Sequence, residues 1–448
     1  MKRLTTTLIF AFALTTVATA QTKVLTFDEA ISIAMKNNVL LLQQKNNLDI
    51  NQIQQLSSYV AIGPNLNVNA TASRFDGNSF NNNTGQVVNG IRDNFNASIN
   101  ANINLFSGFQ AINRVKQSNQ LLDAQAYMVN RTTQDVINTV ATQYLNVMLD
   151  KELLRIAKQN FDAQTAQLDQ VREHTKVGSR SPVDEYNQEA TTKASELLFV
   201  RAQIALDNDK SLLTQTLLID PFEDFDVELP NWDLNKIGSE VLDKNQLAEK
   251  AKLQRGDYLR AVRQEEAQRF GLAFAKGDMV PNLVAFGSVG SAYNDPNSNG
   301  RTFSEQFKED NFFKQFGVQL QIPILNGFQT RSTYVQQKKL YDNAQLNRKN
   351  VEYQIQNEVI RTVHNYEGAK KQYEISVDQL KSAEIAFQLE TERYNLGITH
   401  FVDFVNANRV YVQAEADKAR AEYNLVFQRI LLEYAVGTLK AEDLTNQN

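Results

Sequence analysis

Twelve consecutive residues, 94–105, alternate without an error. Phe95, Ala97, Ile99, Ala101, Ile103 and Leu105 fall on one parity and Asn94, Asn96, Ser98, Asn100, Asn102 and Asn104 on the other. A period of two marks a β-strand with two unlike faces. Residues 65–72 alternate in the same way, with Leu66, Val68, Ala70 and Ala72 on one face. Phe316, Val318, Leu320 and Ile322 alternate with Gly317, Gln319 and Gln321, and 283–293 alternates less cleanly. Most of the remaining chain follows a helical period. Residues 109–177 contain neither Gly nor Pro, and residues 328–396 contain only Gly368. Apolar positions there recur at three and four, as in Ile137, Val140, Ala141, Tyr144, Val147 and Met148, which predicts helix. At 1.5 Å per residue each stretch extends roughly 100 Å. No single globular core covers such a rod, so it must lie beside others like it.

The two patterns recur together. Leu105-Phe106-Ser107-Gly108-Phe109-Gln110 returns as Ile324-Leu325-Asn326-Gly327-Phe328-Gln329, 219 positions on. Gly178, Asp184 and Asn187 return at the same offset as Gly397, Asp403 and Asn406, and Pro64-Asn65-Leu66 returns 217 positions on as Pro281-Asn282-Leu283. The chain therefore reads as two copies of one unit. The first spans 21–220, with strands about 65–75 and 94–106 and a helical hairpin turning at 178–182. An acidic-aromatic connector, 221–242, carries Trp232. The second copy spans 243–438, with strands about 282–293 and 313–324 and a hairpin turning at 397–401. Residues 439–448 form a polar tail. Pro182 suits the first turn of the returning helix, and Pro221 ends it.

Composition narrows the chemistry. The chain has 448 residues and no Cys, which excludes disulfides, thiolate metal sites and cysteine nucleophiles. His174, His364 and His400 lie far apart, without metal-ligand spacing. The net charge of −5 gives no basic excess for nucleic acid. Glu185, Glu189 and Glu196 read as a solvated helix face. Ser179 and Ser181 lie near no base that would make a nucleophile. No reactive constellation appears, so neither enzymatic activity nor a cofactor is expected.

The first 20 residues read as a secretory signal: Lys2 and Arg3, then the apolar run 8–14, then Ala18-Thr19-Ala20. No later segment offers 18 consecutive apolar residues for a membrane helix. Alternation alone fits either a soluble sheet with one wet face or outer-membrane strands with apolar residues toward lipid. Export, aromatics flanking the strands (Phe75, Phe106, Tyr293 and Phe313) and polar loops at 76–93 and 294–311 favour the membrane. Four strands cannot close a barrel, and an open edge is not tolerated in lipid, so several copies must share one.

Signal, duplication, paired strands, the Leu-Phe-Ser-Gly-Phe-Gln turn and the Gly…Asp hairpin tips together resemble the TolC-type outer membrane efflux proteins. The resemblance covers essentially the whole chain after the signal. It implies a mainly α fold with a membrane β-barrel. Three chains would share a 12-stranded β-barrel over a trimeric α-barrel reaching into the periplasm. The implied partners are two further copies of the chain, outer-membrane lipid, a periplasmic adaptor and an inner-membrane pump of RND, ABC or MFS type. Drugs, toxins or proteins would leave by this duct. Phe95, Ala97, Ile99, Ile103, Val318, Leu320 and Ile322 would face lipid.

The resemblance also assigns the tips. Gly178, Ser179, Ser181, Gly397 and Ile398 would meet the adaptor. Asp403 stands where the family places a constriction ring, and Asn406 replaces the ring's second acid one turn later. Three carboxylates rather than six would then oppose one another's ionisation. Asp184 and Tyr394 match a gate hydrogen bond, and Thr399 stands where the family has an arginine, which leaves Arg180 or His400 as other candidates to hold the closed state. An acid early in a helix also interacts with the helix dipole, whether or not it gates. The rival reading is an exported structural or adhesive coiled coil, which would lack lipid-facing strands.

Overall fold

The computed structural model describes residues 23–81, 85–228, 242–295 and 300–440. The expected signal, Trp232 and residues 441–448 of the tail lie outside the described residues.

The elements run in two parallel series. Strand β1 (Lys23–Leu25) precedes α1 (Phe27–Asn37) and α2 (Val39–Val60). Strands β2 (Asn65–Asn81) and β3 (Gln86–Ser107) lead into α3 (Gln110–Lys176) and α4 (Pro182–Leu217). After β4 (Phe225–Val227), α5 (Lys244–Gln254) and α6 (Gly256–Gly277) repeat α1 and α2. Strands β5 (Asn282–Asp295) and β6 (Phe313–Gln321) then lead into α7 (Gln329–Asn395) and α8 (Phe401–Val436). Helices α3 and α7 both have 67 residues, and α4 and α8 both have 36. The 219-residue offset therefore holds at all their ends.

Local chemistry sets the joints. Gly108 and Gly327 have φ of 59° and 62°, and the following Phe109 and Phe328 are also left-handed. This double left-handed step turns each strand into its long helix. A Cβ on Gly108 would lie 2.7 Å from the Gly277 Cα, so the start of α3 and the end of α6 meet backbone to backbone. The helical stretch that opens each copy is broken at Asn38 and Arg255, which both adopt an extended backbone and lie 217 positions apart. Asn38 Oδ1 accepts from the Leu41 N–H at 3.0 Å, a local cap. Arg255 makes no cap bond. Its buried guanidinium reaches Asp257, Glu358 at 2.7 Å and the Ala435 carbonyl at 3.1 Å.

The core lies midway along the rods. Ala30, Ile31 and Ala34 of α1 meet Val140, Tyr144 and Met148 of α3, Leu213 and Leu217 of α4, and Val359, Val363, Leu425 and Ile430 of the second hairpin. Strand β4 of the connector pairs in parallel here with β1 from the start of the first copy, as a belt. The buried Tyr144 hydroxyl donates toward the carbonyls of Leu25 at 2.8 Å and Glu228 at 3.0 Å, pinning the belt to α3.

The four long strands form one antiparallel sheet in the order β2-β3-β5-β6, in which β2 and β6 have free edges among the described residues. Register puts Val68, Ile99 and Val289 side by side on one face, with Ala285 and Val318 further down. The opposite face carries Asn67, Asn100 and Ser288 in one row. Two boundaries differ from the sequence reading. The polar loop expected at 76–93 is mostly a β-ribbon, running about 23 Å past the end of β5 at 3.3 Å per residue. Strand β6 ends at Gln321, so Ile322 lies just past it and is not a strand residue. The second expected loop holds a short hook, helical at Phe303–Glu305 and continuing as a π-turn over Gln306–Asp310.

Candidate functional site

The two hairpin tips bring the predicted residues to one end of the rods. Gly178 (φ 76°) and Gly397 (φ 73°) each close a helix C-terminus. The next amides bond back to the carbonyls of His174 and Arg393, at 2.9 and 2.8 Å. Ser181 caps α4 by accepting from the Val183 N–H at 3.2 Å, and Pro182 follows at the first helical position. Ser179 is occupied by its own turn, bonding the His174 carbonyl at 3.0 Å. Val177, Val183, Leu396, Ile398 and Val402 stand exposed around the tips.

The copies diverge in the residues between the tips. Arg180 corresponds to Thr399, and Thr175 to Tyr394, at the 219-residue offset. Arg180 lies over the Tyr394 ring with its guanidinium carbon 4.0 Å from the centroid, and it donates to the Tyr394 carbonyl at 3.2 Å. That places a cation at the C-terminal end of α7, where the helix dipole favours it. On its other side Tyr394 stacks on Phe404, with centroids 4.8 Å apart. Tyr394 is 1% exposed, and its hydroxyl has no hydrogen-bond partner among the described residues. The expected Asp184–Tyr394 hydrogen bond is therefore not made in the single chain. Asp184 acts on the ring only through its charge: burial raises the Tyr394 pKa, Arg180 opposes the rise and Asp184 adds to it. Thr399 donates instead to Asp403 at 3.3 Å, within its own tip. Asp403 and Asn406 are exposed on the first turns of α8.

Arg180 was legible only as an alternative, and Phe404 was not singled out. The signal that finds Arg180 is the mismatch between the copies: a duplicated unit that differs at a contact position has two roles there. The other polar groups are structural. Glu185 and Glu189 each lie 3.7 Å from Arg172, and Glu196 pairs with Lys193. Among the described residues no His, Asp or Glu cluster could hold a metal, and no helix is long and apolar enough to cross a membrane.

A duplicated pair of rods about 100 Å long, continuous with an open sheet apolar on one face and lined with amides on the other, defines the protomer of an outer-membrane channel-tunnel. The chain belongs to the outer membrane efflux protein family, which matches residues 30–217 and 247–438. It is 24% identical to outer membrane protein TolC of Vibrio cholerae over 332 residues, 71% of each chain. Against outer membrane protein TolC of Escherichia coli it is 23% identical over 323 residues, 70% of this chain and 64% of that protein. Its fold is similar to the Campylobacter jejuni CmeC outer membrane channel, with a TM-score of 0.80, 16% identity and coverage of 94% of this chain and 89% of that one. The open state of the Neisseria gonorrhoeae MtrE outer membrane channel gives a TM-score of 0.77 at 18% identity, covering 93% and 90%. The protein is thus an outer-membrane efflux duct that extends into the periplasm.

Proposed function

We propose that three copies close into one duct whose periplasmic end is held shut by the hairpin tips and opened by an adaptor and an inner-membrane pump of RND, ABC or MFS type. The observation that carries the ring is an interface made once and left open once. Helix α6 packs closely against both α3 and α7, whereas among the described residues its counterpart α2 packs closely against α3 alone. On its other flank Ile53 is 67% exposed and Val60 68%. The duplication supplies the missing neighbour: α7 of the next copy. The free edges of β2 and β6 then pair between copies, as lipid requires. Two copies would give eight strands, whose lumen side chains fill. Three give twelve, with room for a passage. Phe95, Ala97, Ile99, Ile103, Val318 and Leu320 face lipid in this assembly, and the amide-rich face lines the lumen.

At the tips, Arg180 clamps Tyr394 across the two hairpins of one chain, Asp184 adds the neighbouring negative charge, and Thr399 holds Asp403. Asp403 forms a single acidic ring, without a second at Asn406. The exposed apolar tip residues around Gly178, Ser179, Ser181, Gly397 and Ile398 supply the surface on which an adaptor docks. Planar-bilayer conductance tests the clamp: Arg180→Ala should open more often and conduct more than the parent. An unchanged conductance in that variant counts against it. Because the chain has no native Cys, single cysteines at Ser179 and Ile398 should crosslink in cells to a periplasmic adaptor, and absence of any crosslink removes docking at this end.

A further inference from the structure

We infer that the hook at 301–312 is an interfacial anchor, seated where the outer-leaflet headgroups meet the apolar band of the barrel; this rests on the proposed lipid-facing side of the sheet. The hook lies on that side. Phe303 packs against Phe95 of β3 and Tyr293 of β5, with centroids at 5.8 and 5.1 Å, and Phe307 lies 5.5 Å from Phe95. Phe95 and Tyr293 are register partners, and so are Ala97 and Ser291, one step further down the same face.

Ser291 interrupts the apolar face with a hydroxyl that lipid would leave unsatisfied. The hook covers it: Ser291 donates to the Phe307 carbonyl at 2.5 Å and is buried. The hook also finishes the edge of β5 beyond the end of β6. Asn311 donates to the Ala292 carbonyl at 2.8 Å, and the buried Gln306 side chain accepts from the Asn294 N–H at 3.1 Å. The ends of the hook are tied by Arg301 and Asp310, with Nε to Oδ2 at 2.8 Å. It is therefore a fixed part of the barrel rim.

What the hook leaves uncovered suits one environment. Phe303 and Phe312 are each 48% exposed, and Lys314 lies over the Phe312 ring at 5.4 Å. Aromatic rings beside snorkelling lysines select the boundary between headgroups and acyl chains. The position agrees. From Phe95 to Leu105, β3 rises about 33 Å along the strand, which a tilt of roughly 40° reduces to the 25 Å height of an apolar band. The hook sits at the upper limit of that band and widens its aromatic girdle on the outside.

Depth-resolved fluorescence tests this on the full-length protein reconstituted in phosphatidylcholine bilayers. In a Trp232→Phe background, single tryptophans are placed by Phe303→Trp, Phe312→Trp and, as the mid-band reference, Ile99→Trp. The expected result is blue-shifted emission at 303 and 312 that is lost to lipids brominated just below the headgroup more than to lipids brominated near the chain ends. The reverse order is expected at 99. Emission at both hook positions that is quenched by aqueous acrylamide and not by any bromolipid overturns the anchor, as does shielding from both quenchers, which would mean that protein covers the hook. If Ile99→Trp also escapes the bromolipids, the lipid-facing assignment itself fails, a result separate from failure of the hook alone. Phe312 lies outside the ring cluster, so Phe312→Trp decides the matter if Phe303→Trp disturbs packing.

Discussion

Two acidic residues of the helices carry opposite accounts. Burial pushes the Asp150 carboxyl up to about 6, helped by the charge of Asp209 and a hydrogen bond with it. A folded pKa raised above the unfolded one means that the protonated acid is favoured by folding. The associated stability is full below about pH 4 and is lost as pH rises through 6. Asp150→Asn should therefore stabilise the protein by about 1–2 kcal/mol at pH 7.5, allowing for solvent screening, and change little at pH 4. Chemical denaturation at the two pH values measures it. Asp257 behaves the other way. Burial works against its ionisation, but the hydrogen bond and charge of Arg255 outweigh this and hold its pKa below the usual carboxylate range. Arg255 is the buried cation that both half-buried carboxylates, Asp257 and Glu358, bond to, and removing it leaves Asp257 only the more distant charge of Arg131. Arg255→Leu should cost about 3–5 kcal/mol in denaturant melts, far more than loss of an exposed pair such as Lys193–Glu196. Asn38, at the equivalent break, caps with its own side chain. Sequence reasoning could have read Asn38 as a cap, but nothing local to Arg255 announces partners 103 and 180 residues away.

At the scale of elements, the midpoint belt depends on one hydroxyl. Tyr144→Phe keeps the ring, which packs edge-on against Phe27 at 5.2 Å, and strips the donor from two carbonyls. The expected cost is about 1–3 kcal/mol. Amide exchange should speed up in β1 and β4 while the long helices stay protected, because only the belt is tied through that hydroxyl. The hairpins themselves differ inside. Hairpin α3/α4 buries Gln164 and Gln188, joined at 2.9 Å, where α7/α8 has Ala383 and Ala407 at the same offset. The β2–β3 ribbon makes a related point. Gly77, Asn78, Asn81 and Gly90 are poor strand formers, yet all lie in paired register. Their conformation is imposed by the hairpin that continues above Arg74 and Asp93, which are joined at 2.7 and 2.8 Å. Propensity alone reads this stretch as loop.

In the proposed ring the whole molecule is one third of an arrangement that repeats. Its α2 flank and its two sheet edges are the same fact at two heights, since both are places where the proposed ring sets the next copy. Ile53→Asp with Val60→Asp should leave helix content unchanged by circular dichroism and convert the proposed trimer to monomer in light scattering of detergent-solubilised protein. A trimer that survives both charges means that α2 does not form the ring interface.

The sequence by itself determined everything that has a short period or a fixed offset. Alternation placed the strands and their apolar parity, the absence of Gly and Pro placed the rods, and the 219-residue repeat placed both turns and tips. These are local or self-similar properties, written in residues that neighbour one another or their own copies. Tertiary structure decided what depends on groups brought together from far apart. Folding set Arg180 over Tyr394 where a carboxylate bond was expected, buried the Arg255 knot, drew the ribbon past its strand-forming residues and seated the hook over Ser291. In each case the stabilising partner is a buried or oriented group whose position exists only once two helices or two strands have packed. No reading along one segment contains that position.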